Sequence, residues 1–171
     1  MASRALVIGR FQPPHIGHIE LIRVASWENS RVIVAIGSAQ DSHTPRNPFT
    51  AGERYEMLQA ALAEEGIHNV DIIPVTDVNR NAIWVAHLES MLPLFNTVYA
   101  NNPLVRQLFE EEGYTVRTVQ PFKREAVSAT AIRSSMGAGL SDWEKLVPPA
   151  VARIVGEING MERMRQINST D

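Results

Sequence analysis

The sequence predicts an α/β protein built on a doubly wound, five-stranded parallel sheet, with a small helical part at its C-terminal end from about residue 128 to 171. Three observations predict it. Short apolar runs of strand length alternate with segments whose apolar residues recur at helical spacing, the pattern of strand–helix–strand units. The first two runs, residues 5–9 (ALVIG) and 31–37 (RVIVAIG), are nearly continuously apolar, as strands covered on both faces are. The segments between runs begin and end on capping residues.

Taken in order, residues 5–9 form the first strand. In the segment that follows, Ile19, Ile22 and Ser26 are expected to share a helix face with Trp27. Residues 31–37 supply the second strand, rich in β-branched side chains. Thr50-Ala51-Gly52-Glu53 has the residues of a capping box. Met57, Leu58, Ala61 and Leu62 follow at helical spacing, and Gly66 fits a helix stop. Residues 70–75, 97–100 and 114–119 are weaker strand candidates. Asn102-Pro103 places a cap before a proline at the first helical position. Gly137-Ala138-Gly139 reads as a turn, Ser141-Asp142-Trp143-Glu144 as a second capping box, and Pro148-Pro149 as the break before a last helix over residues 150–158. Right-handed crossovers would wind these units into one Rossmann-like sheet, with ligands outside the carboxyl ends of its strands. The sequence holds no internal repeat, and residues 1–171 are expected to form one domain.

Composition narrows the function. A net charge of -3 and a pI near 6.0 argue against a general nucleic-acid binder, although they leave room for a local basic pocket. The absence of cysteine removes disulfides, thiolate nucleophiles and zinc–sulfur sites. The apolar run ending at Gly9 is too short for a signal peptide, and no run approaches a membrane span. The expectation is a cytoplasmic protein, in which Asn168-Ser169-Thr170 matches a glycosylation acceptor by chance.

The most informative stretch follows the first strand: Gly9-Arg10-Phe11-Gln12-Pro13-Pro14-His15-Ile16-Gly17-His18. Gly9 permits close backbone approach, and the prolines stiffen the loop and prepare a helix start. His15 and His18, three apart, would share a helical face that Gly17 keeps open. Arg10, two imidazoles and the unpaired amides of a helix N-terminus together make a triphosphate cradle. Two histidines without a further ligand are too few for a zinc site, so no protein-held metal is predicted. Later in the chain, Ser128-Ala129-Thr130-Ala131-Ile132-Arg133 offers two hydroxyls at a helix start and a guanidinium one turn on. By itself it reads as an ordinary Ser/Thr-capped helix with a surface arginine rather than as a phosphate site.

Together these segments resemble the nucleotidyltransferase superfamily. Gly9-Arg10-Phe11-x-Pro13-x-His15-x-Gly17-His18 is similar to its Gly…Pro…His-x-Gly-His signature, and Ser128-x-Thr130-x-x-Arg133 to its late element, where Ala129 stands in place of a frequent Gly. Gly37-Ser38-Ala39-Gln40, Arg46-x-Pro48-Phe49-Thr50-Ala51-Gly52-Glu53-Arg54, Asp77 with Asn81-Ala82-Ile83-Trp84, and Tyr99-Ala100-Asn101-Asn102-Pro103 resemble the archaeal-type nicotinamide mononucleotide adenylyltransferases. In these relatives the first asparagine of the last segment is often Gly.

The resemblance implies ATP and nicotinamide mononucleotide as substrates, Mg²⁺ accompanying ATP, and a homo-oligomer, a hexamer in related archaeal enzymes. It implies that His15 and His18 stabilise the transferring group, assisted by Arg10. Arg133, Ser128 and Thr130 would hold the leaving phosphates within a cradle that includes Gly9, Phe11 and Gly17. Arg46 would orient a phosphate. Ser38, Asp77, Asn81 and Trp84 would receive the nicotinamide nucleotide, with the pyridinium over Trp84, and Asn101 and Asn102 would flank the adenine. Another transferase of this fold, such as a phosphopantetheine adenylyltransferase, and a catalytically silent NAD-binding module remain as alternatives.

Overall fold

The computed structural model describes residues 3–120 and 127–169. Thr170, the last residue of the acceptor-like triplet, lies outside them. A five-stranded sheet runs in the order β3-β2-β1-β4-β5, with β1 Arg4–Gly9, β2 Arg31–Ile36, β3 Val70–Pro74, β4 Thr97–Tyr99 and β5 Thr115–Arg117. Every neighbouring pair is parallel. β1 pairs β2 from Arg4↔Arg31 to Gly9↔Ile36, β2 pairs β3 from Val32↔Val70, and β4 lies on the other edge of β1 with Val7↔Tyr99. All five predicted strands are present.

Alternation along β1 and β2 explains the continuous apolar runs. Ala5, Val7, Val32, Val34 and Ile36 enter one buried cluster, whereas Leu6, Ile33 and Ala35 enter another on the opposite face. The first is covered by α1 (Ile16–Glu28), α2 (Ala51–Glu64) and the C-terminal helices, the second by α3 (Asn81–Met91) and α4 (Pro103–Glu111). Both faces are dry, so neither strand can afford polar alternation.

Local signals set most helix ends. Thr50 accepts from the Glu53 amide at 3.1 Å while the Glu53 carboxylate accepts from the Thr50 amide at 2.9 Å, the predicted capping box of α2. Gly66 follows α2 with φ +68°, a left-handed residue of the kind that ends helices. Asn102 caps α4 through the amides of Leu104 and Val105. Two expectations are corrected. Trp27 is 75% exposed, and the buried stripe of α1 is Ile19, Ile22 and Ala25. Ser141 makes no side-chain cap; residues Asp142–Leu146 form a 3₁₀ turn that buries Trp143.

The C-terminal part holds one helix more than predicted. After α5 (Ala129–Gly137), α6 (Pro149–Glu157) ends where Asn159 takes φ +57°, and α7 (Gly160–Asn168) folds back. Gly160 permits that return: a Cβ there would meet Val155 Cγ1 at 2.9 Å and Phe49 Cε1 at 3.2 Å. Arg163 of α7 forms a two-pronged ion pair with Glu53 at 2.7 and 2.9 Å and donates to the Pro48 carbonyl at 3.1 Å. The helical part is thereby tied to the loop entering α2. Among the described residues no helix is long and apolar enough to cross a membrane.

Candidate functional site

The sheet order reverses at β1, whose neighbours are β2 and β4. Beyond the carboxyl ends of these strands lies a cleft of about 740 Å³, where the crevice of a doubly wound sheet is expected. It has two halves. On the β2–β3 side its wall includes Ser38, Asp77, Asn81 and Trp84; on the β4–β5 side it includes Asn101, Asn102 and Val119 with Glu20 and Leu21 of α1. Between them stand Gly9, Arg10, His15, Gly17, His18 and Arg46.

The two histidines cap α1 reciprocally. His15 is the N-cap, and its Nδ1 accepts from the amides of Gly17 at 3.1 Å and His18 at 3.4 Å. The Nδ1 of His18 reaches back to accept from the His15 amide at 3.1 Å. A ring nitrogen that accepts carries no proton, so both neutral imidazoles keep theirs on Nε2. The rings stack with centroids 3.6 Å apart. Burial pushes His15 down to about 4 and His18 well below the ordinary imidazole value, the latter helped by repulsion from His15. Two neutral Nε2–H donors therefore line the cleft at pH 7.

This geometry revises two expectations. The amides of Gly17 and His18 are not free for a phosphate, because the ring of His15 consumes them. Gly17 does not hold space for a ligand but for that same ring: a Cβ would lie 3.0 Å from His15 Cε1. Phe11 and Gly9 act beneath the pair. Phe11 has φ +54°, an uncommon conformation for an aromatic residue. It turns its ring over Gly9, where a Cβ would sit 3.3 Å from Cζ, and edge-on to His18 at 4.7 Å.

Arginines gather at the centre, and Arg10, Arg46 and Arg133 form no ion pair among the described residues. Arg10 donates to Asn47 Oδ1 at 3.3 Å. Desolvation and then Arg46 lower its pKa, against the attraction of Asp77 and Asp41. Desolvation, Arg10 and Arg46 do the same to Arg133. Such a concentration of positive charge suits a polyphosphate. Arg133 itself is 7% exposed and is not among the residues lining the cleft. It donates to the Gln12 carbonyl at 2.9 Å and to Thr130 Oγ1 at 3.3 Å. Ser128 caps α5 through the Ala131 amide at 3.3 Å, and Ser128, Thr130 and Phe11 are likewise absent from the lining. Ala129 is the first residue of α5 and has no positive φ, so its methyl is accommodated.

In the β2–β3 half, Asp77 accepts from Ser38 Oγ at 2.6 Å and Gln40 Nε2 at 3.2 Å, which aims the loop after β3. Trp84 lies in the first turn of α3 with its ring edge-on to Phe109 at 5.4 Å; it packs on the core and faces the cleft at once. Asn81 begins α3 and is exposed. In the other half, the side chain of Asn101 turns from the cleft floor to bridge the Val119 main chain at 3.1 Å in both directions, locking the ends of β4 and β5.

Two buried polar residues escaped the sequence reading. Arg54, 0% exposed, donates to the carbonyls of Arg10, Gly37, Ser38, Asp41 and Thr50. Desolvation leads its fall to about 10. Gln12 pairs with both the carbonyl and the amide of Phe49, at 3.0 and 2.9 Å. Both join the loop after β1 to the loop before α2. A buried helical arginine at an apolar-face position was the available signal.

Comparison with known proteins agrees with this arrangement. Residues 6–135 match the cytidylyltransferase-like family. The chain is 49% identical over 168 residues to the nicotinamide-nucleotide adenylyltransferase of Picrophilus torridus, covering 98% of this chain and 99% of that one. It is 51% identical to the protein of the same name from Methanothrix thermoacetophila, with 98% of each covered. It is also 51% identical to that from Pyrococcus furiosus, over 96% and 89%. Among solved structures, a bifunctional NMN adenylyltransferase/ADP ribose pyrophosphatase from Francisella tularensis, complexed with AMP and a manganese ion, superimposes with a TM-score of 0.77 at 23% identity. The alignment covers 98% of this chain and 52% of that one, so this chain spans about half its length. At that identity the likeness concerns the fold.

Proposed function

The chain belongs to the cytidylyltransferase-like family, and we propose on that premise that it is a nicotinamide-nucleotide adenylyltransferase, joining ATP and nicotinamide mononucleotide to give NAD and pyrophosphate. A phosphate oxygen of the mononucleotide attacks the α-phosphorus of ATP in line. The new P–O bond forms as the bond to the β-phosphate bridging oxygen breaks, and pyrophosphate leaves with that electron pair.

The observation that carries the reaction is the pair of neutral Nε2–H donors beside Arg10 and Arg46. Adenylyl transfer needs charge stabilisation and alignment rather than a covalent nucleophile. Neutral donors are oriented before substrate arrives and lose no proton during the step. Arg10 and Arg46 supply full charge for the transferring and leaving phosphates. Arg133, held through the Gln12 carbonyl, supports the loop from behind with Ser128 and Thr130. The β2–β3 half fits the nicotinamide nucleotide, with Trp84 for the ring and Asn81 and the Asp77–Ser38 pair for polar groups. The β4–β5 half fits adenosine near Asn101 and Asn102.

Among the described residues no cluster of three or more His, Cys, Asp or Glu could cage a metal ion. The donor set fits Mg²⁺ brought by ATP itself, bound through phosphates and water. That ion would neutralise phosphate charge. Cytoplasmic residence, one nucleotidyltransferase domain and a homo-oligomeric state belong to the same proposal.

The test is pyrophosphate release from ATP and Mg²⁺, with and without nicotinamide mononucleotide, while NAD is followed in the same tube. Equal, mononucleotide-dependent amounts of both are expected. Pyrophosphate with another acceptor, such as phosphopantetheine, and none with the mononucleotide would overturn the substrate.

A further inference from the structure

Among the described residues the cleft is lined by two carboxylates, Asp77 on the β2–β3 side and Glu20 on α1, and they differ in one respect. Asp77 is engaged by Ser38 and Gln40. Glu20 is half-buried and lines the cleft, yet it has no hydrogen bond or ion pair with any described residue. Partial desolvation of a carboxylate without a protein donor is unfavourable. In a site otherwise built for anions, the ligand group that such a carboxylate can accept from is a neutral donor.

Position selects the donor. Glu20 follows Gly17 by three residues and so lies on the same cleft-facing side of α1. It sits ~4.5 Å further along the helix axis, deeper from the phosphate-binding turn and in the β4–β5 half with Leu21, Val119 and Val127. One helical turn beyond the α-phosphate is the reach of the attached ribose, and the base lies further out. The ribose vicinal diol offers two O–H donors to two carboxylate oxygens, and carboxylates commonly read ribose hydroxyls in this fold class.

We propose that Glu20 is the residue that reads the ribose hydroxyls of ATP and makes the enzyme select a ribonucleotide donor. This rests on the adenylyltransferase reading above and extends it to sugar specificity. Asn101 cannot substitute for it, because its side chain is committed to Val119.

The experiment compares wild type, Glu20→Ala and Glu20→Gln for NAD formation from ATP, 2′-deoxy-ATP and 3′-deoxy-ATP. Wild type is expected to lose about 10- to 100-fold in kcat/KM on whichever deoxy substrate lacks the contact, the usual size for a hydrogen bond to a charged group. Glu20→Ala should lose a similar factor on ATP and show no further loss on that deoxy substrate, with KM for nicotinamide mononucleotide unchanged. Glu20→Gln, which keeps the shape and one acceptor, should fall between; should the alanine variant not fold, the same comparison on Glu20→Gln decides. Multiplying losses, or an unchanged Glu20→Ala on ATP, would overturn the inference while wild-type NAD synthesis stands. Failure of wild type to make NAD from ATP would instead remove the reading beneath it.

Discussion

His15 does two things with one ring. Nδ1 caps α1, and Nε2–H remains for substrate. The two are separable. Asn at position 15 can still cap, since its side-chain oxygen accepts from the same amides, but it offers a donor in a different place. His15→Asn should retain stability and lose most turnover, whereas His15→Ala should lose turnover and about 1 kcal/mol of stability; urea midpoints and kcat together check both. His18→Ala should cut turnover by ~10²–10³, the usual loss for one transition-state donor. Acid links the roles. The folded pKa of His15 is depressed to about 4, so its contribution is complete above its unfolded value of 6.5. As pH falls toward 4 the unfolded chain binds the proton first, and on the order of 3 kcal/mol is lost. His18, depressed for the same main reason, adds to the loss. The wild-type urea midpoint should fall more steeply than that of His15→Asn between pH 6.5 and 4.5; parallel curves would show that the imidazole is not the titrating group.

At the scale of elements, the site is made by loops that have little structure of their own. Arg54 is the clasp. One guanidinium on α2 satisfies carbonyls from the loop after β1 and the loop after β2. Arg54→Met keeps the volume but leaves buried carbonyls unpaired, at about 1–3 kcal/mol each. A stability loss of about 3–5 kcal/mol is expected, with Tm as the readout. A change below about 1 kcal/mol would mean that water replaces the guanidinium. The capping box of α2 was legible because its four residues are contiguous. The Gln12–Phe49 clamp was not, because its two halves lie 37 residues apart. The last C-terminal helix, α7, was missed although Asn159-Gly160 is a turn dipeptide: the chain turns on the single left-handed residue Asn159 and resumes a helix at Gly160, a return that depends on packing against Val155 and Phe49.

At the scale of the molecule, the C-terminal helices reach the cleft only indirectly. Arg163 grips Glu53 and Pro48; the same loop presents Arg46 and the Asn47 that holds Arg10. Both partners of the ion pair are 18% exposed, so it is screened less than the surface pairs. Arg163→Ala should lower Tm and also weaken ATP use, raising its KM several-fold, while Arg163→Lys restores part of each; thermal melts and steady-state kinetics measure the two. A lowered Tm with unaltered KM would confine Arg163 to stability.

The succession of strands and helices up to α6, most caps, and the segments that surround the cleft were legible in the chain alone. Those properties are written in periodicity and in contiguous motifs, whose partners are a turn or a pleat away. How each side chain is used depends on the packed fold. It made His15 a cap, gave Gly17 to the His15 ring, drew Arg133 behind the loop and Asn101 to the edge of β5, and left Glu20 without a partner among the described residues. Each outcome depends on which distant backbone group arrives first within about 3 Å, and that is settled by packing the two faces of the sheet rather than by any local stretch of chain.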